Sequence, residues 1–321
     1  MLSELGTRAR AWVAGPSPWS NVYGLARTLI ALGTCGTLAF SHSSTLFRPA
    51  VGVPQVPICD GIRRASLFCL LPGGWLEVAR WIAVVLLLIV ASGWRPRITG
   101  LVHWWVAVSL FWSAVLTDGG DQIAAVLSLL MLPLTLTDGR RWHWEEDSSG
   151  QGQNEASRLV ARASWLALRV QVAVIYFHAC VGKFKVQEWV DGTALYYWLL
   201  DPGIGAPDWL SRWLLPVLSH PAVALLTWSV LVLELCLSLG LILGRGSQRV
   251  LLPLGFAFHA AIAVCHGLIS FALVMCGACL LLLRPFDMTF SLEWLRSRLP
   301  KRRLSASEPA LSALHGLERG N

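Results

Sequence analysis

The sequence predicts an all-α, polytopic integral membrane protein of about eight transmembrane helices with short interfacial helices between them. Three observations carry that prediction. Of 321 residues, 55% are hydrophobic and only 14% charged, against about 25% charged in soluble domains, and mean hydropathy is +0.57. The apolar residues fall in runs of roughly the length needed to cross a hydrocarbon core of ~30 Å. The cations gather between alternate runs, as the positive-inside rule requires.

Residues 1–20 are polar and carry Arg8 and Arg10, with none of the short apolar core and small-residue cleavage site of a signal peptide. They are expected to lie at the cytoplasmic surface, as a short helix on the membrane. The predicted spans are 21–40, 75–94, 101–117, 122–137, 159–181, 217–244, 250–265 and 268–283. The third, fourth, seventh and eighth are short, and little more than His266 and Gly267 separates the last two, which suits a tight hairpin or a partly re-entrant pair. The spans form a membrane domain over 21–285, interrupted by a polar linker at 138–157 that contains EEDSSGQGQNEAS. A basic tail follows at 286–321. Between the fifth and sixth spans, WVDGTALYYWLL and APDWLSRWLL read as short interfacial helices with Trp and Tyr at headgroup depth.

Eight spans with the first residues inside place Arg95, Arg97, Arg140, Arg141, Arg245, Arg249 and the cluster Arg296, Arg298, Lys301, Arg302 and Arg303 in the cytoplasm. Arg48, Arg63, Arg64, Lys183, Lys185 and Arg212 fall outside. Both termini are thus expected to be cytoplasmic, and the +7 net charge reflects topology rather than nucleic-acid binding. The partner implied by composition is the lipid bilayer.

Lys183 ends the fifth span between Gly182 and Phe184, with Lys185, Glu188 and Asp191 close behind. On a helix, Tyr176, Cys180 and Lys183 share one face. A lysine held among apolar groups can serve as base or nucleophile near neutral pH, while a lysine that closes a span can equally snorkel to the interface as an anchor. Glu234, near the middle of the sixth span, costs roughly 2.5–3.5 kcal/mol to insert and must face a partner or a cavity; Arg169 in the fifth span and Arg27 in the first are the partners the sequence offers. His259 and His266 stand a heptad apart on one face, and His178 lies near the end of the fifth span. Such histidines serve proton transfer or packing, and the tight spacing of a metal site is absent. Cys59 and Cys69 fall in the first outer loop, where oxidation is permitted; a bridge between them and two free thiols are both open. Cys276 and Cys279 form a CxxC inside the last span, open to a redox role or to helix packing. Asp118 and Asp121 flank a glycine turn on the side of Lys183, as an ordinary turn or as acids facing the lysine.

The segment IYFHACVGKFKVQEWVDGTALYYWL resembles the core of SdpB-type membrane proteins, which share the HTTM domain with the vitamin K-dependent gamma-carboxylases. VYGLARTLIALGT, DGGDQI, LVLELCL and HAAIAVCHGLISFALVMCG extend the resemblance over residues 21–285. It implies a bacterial cytoplasmic-membrane protein that, with a small SdpA-like partner protein, matures an exported antimicrobial peptide toxin from its precursor. In the carboxylases a span-ending lysine before a Trp–Val–acid–Gly stretch is the base that acts on a reduced quinone. Here the matching residues are Lys183, Trp189, Val190, Asp191 and Gly192, although the spacing differs and the large extramembrane domain of the animal enzymes is missing. The expected site is therefore built on Lys183, Glu234 and His259, supported by Arg169, His178, Tyr176, Asp121, Trp189 and Asp191. A quinone-dependent carboxylase-like or epoxidase-like enzyme and a non-catalytic scaffold or immunity factor are the rival readings.

Overall fold

A computed structural model describes residue 6 and residues 11–53, 55–145 and 154–290. The chain divides into two units, Met1–Thr289 and Phe290–Asn321. Arg8 and Arg10, the middle of the linker and the tail cluster from Arg296 to Arg303 lie outside the described residues.

Nine longer helices occur among the described residues: α1 (Asn21–Phe40), α2 (Leu76–Ser92), α3 (Pro96–Ser113), α4 (Gly119–Leu136), α5 (Glu155–Lys183), α6 (Asp208–Leu218), α7 (Val223–Leu239), α8 (Arg245–His266) and α9 (Ile269–Leu283). Their ends follow local chemistry. Asp118 caps α4 by accepting from the Asp121 amide at 2.9 Å, and Asn154 caps α5 by accepting from Ala156 at 3.1 Å. Pro96 opens α3 at a position where no amide donor is needed. Gly93 ends α2 at φ 89°, a left-handed conformation that favours glycine. Short helices at Gln187–Val190 and Ala194–Leu200, followed by α6, fill the segment expected to hold interfacial helices.

The expected eight spans become fewer. Among the described residues, five helices are long and apolar enough to cross a membrane, and a sixth span arises if α6 and α7 are taken as one bent element. The run at 217–244 is not one helix. The chain turns by 104° between α6 and α7 at His220–Pro221, where a residue before proline is forced out of the helical region and Pro221 cannot donate to the preceding turn. The run at 101–117 forms α3, whose proline, arginine, histidine and tryptophans dilute its hydropathy. The run at 268–283 forms α9, whose 15 residues extend only ~22 Å at 1.5 Å per residue.

At the centre, α1 packs on α2, α4 and α9, while α5 packs on α4, α7 and α9. The outer faces are apolar. Val170, Val174, Phe177 and Val181 are all exposed along one stripe of α5, and Val250, Leu254 and Val264 along α8. A surface of this kind requires a bilayer or a protein partner to cover it.

The ends of α2 and α4 and the start of α1 are closed by the loop after α4. Arg140 forks onto Asp138 at 2.9 and 2.8 Å, and Asp138 accepts from the hydroxyl of buried Tyr23. Arg27, wholly buried, donates to Thr99 at 2.6 Å and approaches His143 Nδ1 at 3.4 Å. His143 lies so close to Gly24 and Gly93 that a Cβ on either would meet its ring within 3.0 Å. Burial first, then the charges of Arg27 and Arg140, hold the His143 pKa well below the ordinary imidazole value.

His143 is therefore neutral in the fold, whereas the unfolded chain takes up a proton below about pH 6.5. Unfolded molecules then bind more protons than folded ones, and stability must fall as pH drops through that value, by up to about 1.4 kcal/mol per pH unit. Thermal unfolding of the purified protein from about pH 8 to about pH 5 should show this acid limb, and His143→Gln should flatten it.

Candidate functional site

One face of α5 organises the site. Tyr176, Cys180 and Lys183 are on it, and all three point into the bundle toward α7, α8 and α9. Cβ atoms on a helix tilt toward its N-terminus, so a lysine in the last turn is already aimed backward. Lys183 follows that direction: Nζ donates to the Ala179 carbonyl at 3.3 Å, one turn earlier. There it meets Glu234 of α7, donating to Oε1 at 2.6 Å and Oε2 at 2.8 Å. The indole of Trp189 lies beside the ammonium, 5.1 Å from centroid to Nζ. The Glu234 side chain is 6% exposed and that of Lys183 22%. The amine thus turns inward to a carboxylate rather than outward to the interface.

The layer around the ion pair is apolar. Cys180, Trp189, Ala194 and Leu231 form one buried cluster with Leu195 and Val230 packed against it, and the Cys180 thiol donates to the Leu231 carbonyl at 3.4 Å. The segment after Lys183 closes over α7: Trp228 Nε1 donates to the Val190 carbonyl at 3.3 Å, and Gly192, at φ 86°, sits where a Cβ would come within 2.5 Å of Ala224.

A second polar layer lies two turns deeper on the same face. The Tyr176 hydroxyl is 2.8 Å from His259 Nε2 of α8 and 3.0 Å from Cys279 Sγ of α9. The other ring nitrogen of His259, Nδ1, is buried without a partner among the described residues, and Phe258 and Phe271 flank the ring. Two acid–base groupings, Lys183–Glu234 and Tyr176–His259–Cys279, thus share one helix face in a low-dielectric bundle.

Other expected residues are placed elsewhere. Arg169 is not the partner of Glu234. It lies 14 residues before Lys183, ~21 Å along the helix axis, and donates to the carbonyls of Leu282 at 3.1 Å and Leu241 at 3.5 Å. That is the level at which α7 and α9 end, not the depth of the span. Arg27 is likewise engaged in the loop network of His143. His178 is exposed beside Phe177. Asp121 is buried at the start of α4, and no ion pair joins it to Lys183 among the described residues. Asp191 is exposed and accepts from the amide and hydroxyl of Thr193, as a turn residue does. His266 contacts the Ile204 carbonyl at 2.8 Å. Cys59 and Cys69 form a disulfide that closes their loop. No three of His, Cys, Asp or Glu converge as a metal site among the described residues.

Sequence reasoning assigned Cys279 only to a CxxC. Its junction with Tyr176 has no local signature, because the two residues stand 103 positions apart.

Comparison with known proteins points the same way as the segment resemblance. The chain is 40% identical over 282 residues to the uncharacterized protein YitO of Bacillus subtilis (strain 168), covering 87% of this chain and 90% of that protein. It is 34% identical over 280 residues to the sporulation-delaying protein SdpB of the same organism, covering 87% of this chain and 85% of that protein. No family model matches, and no solved structure matches.

Proposed function

Because the chain belongs to the family of the sporulation-delaying protein SdpB, we propose that it acts at a bacterial membrane in the maturation of an exported peptide toxin. Near-full-length similarity to SdpB carries this reading. The site supports it with a buried acid–base pair at the end of α5. In this reading Lys183 and Glu234 share a proton inside the bundle, and the pair parts to exchange it with the toxin precursor at the Lys183 side chain, which is 22% exposed. Tyr176 and His259 extend the path inward. A small SdpA-like protein is the expected partner, and both termini face the cytoplasm; the start of α5 packs on the N-terminal segment, where Arg158 donates to the Val13 carbonyl, so the far end of α5 falls on the outer side.

A reduced quinone does not fit beside Lys183 as the side chains stand. The ammonium is saturated by both oxygens of Glu234 and by the Ala179 carbonyl, and Cys180, Trp189, Ala194 and Leu231 pack the surroundings. The HTTM and carboxylase-like reading rests on the resemblance alone.

Lys183→Arg separates charge from proton transfer, since arginine keeps the cation but does not release its proton. In a toxin-producing strain, this variant should reach the membrane at normal level and fail to yield mature peptide, read by mass spectrometry of the culture medium. Normal mature peptide from that variant would remove the acid–base role. Unchanged peptide processing after deletion of the whole gene would remove the maturation role itself.

A further inference from the structure

The middle of α5 holds a feature that toxin maturation does not use. A cavity of about 400 Å³ lies where α5 passes the end of α7, the start of α8 and the end of α9. Trp165, Arg169, Arg245, Gln248, Phe286 and Asp287 are among its lining residues. Its charges do not balance. Asp287 is paired with Arg245 at 2.7 Å, whereas Arg169 has no carboxylate partner among the described residues. Two of its N–H donors go to the carbonyls of Leu282 and Leu241. A guanidinium has five, so donors remain for the cavity that it lines. Gln248 is uncharged, and its amide donates to the carbonyls of Gly240 and Leu243, both at 3.0 Å.

The wall is also built for an anion with an apolar appendage. Trp165 and Phe286 meet edge to face at 5.6 Å, and the guanidinium of Arg162 lies 5.1 Å from the Phe286 ring centre. Arg162 stands two turns before Arg169 on the same face of α5 and is spent on the carbonyls of Trp12 and Pro16. The cavity therefore offers one uncompensated cation, aromatic walls and a position at the ends of three helices, where a bilayer changes from hydrocarbon to headgroup. Its volume is in the range of ligand pockets.

We propose that this cavity binds a phosphate monoanion through Arg169 and Arg245, carried by a phospholipid headgroup or free in solution. Native mass spectrometry of the purified full chain, offered equal amounts of phosphatidylglycerol and phosphatidylcholine in detergent micelles, reads the site. The expected result is preferential retention of phosphatidylglycerol, with the preference falling about fivefold in Arg169→Gln, the worth of one arginine at a membrane surface. Arg249→Gln, an exposed change outside the cavity lining, should leave the preference intact. Arg169→Gln keeps a donor for the Leu282 carbonyl; should it nevertheless fail to fold, Arg245→Gln tests the same cavity from its other rim. Sodium phosphate distinguishes the two sources. A phosphate adduct that displaces the lipid and is lost in Arg169→Gln assigns the site to soluble phosphate, and lipid retention unaffected by phosphate assigns it to the headgroup. Equal retention of the two lipids without a phosphate adduct, or a preference unchanged in the folded Arg169 and Arg245 variants, overturns the proposal.

Discussion

Removing Lys183 or Glu234 singly is expected to cost more than removing both. Either single deletion leaves one buried charge without its partner, a loss of about 3–5 kcal/mol in comparable buried pairs. The Glu234 side chain is 6% exposed beside Lys183, and in Lys183→Ala it has no other cation at hydrogen-bond distance among the described residues. In Glu234→Ala the ammonium keeps only the Ala179 carbonyl and the Trp189 ring. Replacing the pair together by Lys183→Met and Glu234→Leu removes both desolvation costs and keeps the volume filled, so thermal stability in detergent should return to near that of the parent protein. Function should not return with it. If the pair performs acid–base chemistry, the double variant folds, reaches the membrane and yields no mature peptide. Full maturation by the double variant would reduce the pair to a packing device and shift the protein toward a scaffold that positions its partners. Destabilisation of the double variant as severe as that of either single one would show that the ion pair stabilises the fold in its own right.

The second large effect is expected at Gly33→Val, at the crossing of α1 and α9. A Cβ at Gly33 would stand 2.4 Å from Val274 Cγ2 and 2.7 Å from the Ser270 carbonyl oxygen. The valine methyl can rotate away, but the carbonyl is fixed in the α9 backbone, so the helices must separate. Gly277 on α9 makes the reciprocal approach, with a Cβ there lying 2.8 Å from the Ala26 carbonyl. Small residues that let backbones meet are the main attraction between helices in lipid, where apolar burial gives no preference for protein over acyl chain. Overpacking here should cost about 3 kcal/mol. Because α9 also carries Phe271 and Cys279, its displacement should disturb the Tyr176–His259 contact as well. Gly182→Ala, where nothing lies within 4 Å of the added carbon, is the control and should be neutral or slightly stabilising. Equal losses at the two positions, measured by thermal unfolding, would contradict a specific α1–α9 contact.

The sequence by itself determined the class, the membrane habit and the contents of one helix face. Hydropathy marks the apolar runs, and the period of 3.6 residues puts Tyr176, Cys180 and Lys183 in one row whatever surrounds them, because both are properties of a short stretch of chain. It also determined that Glu234 needs a partner, since the cost of a carboxylate in hydrocarbon does not depend on fold. Which residue answers it was decided only by the tertiary structure. Arg169 and Lys183 are both cations on α5, and the choice between them depends on how far α7 slides along α5, which no local pattern encodes. The same register places Arg169 at the ends of α7 and α9, and places Cys279 and His259 on the Tyr176 hydroxyl from two other helices. The break at Pro221 was legible residue by residue, yet the apolar run across it masked the turn, because hydropathy averages over a window that a single proline does not change. Lipid-facing and protein-facing apolar side chains look alike in sequence, so the pairing of helices is carried by a few small and polar residues whose partners lie far away along the chain.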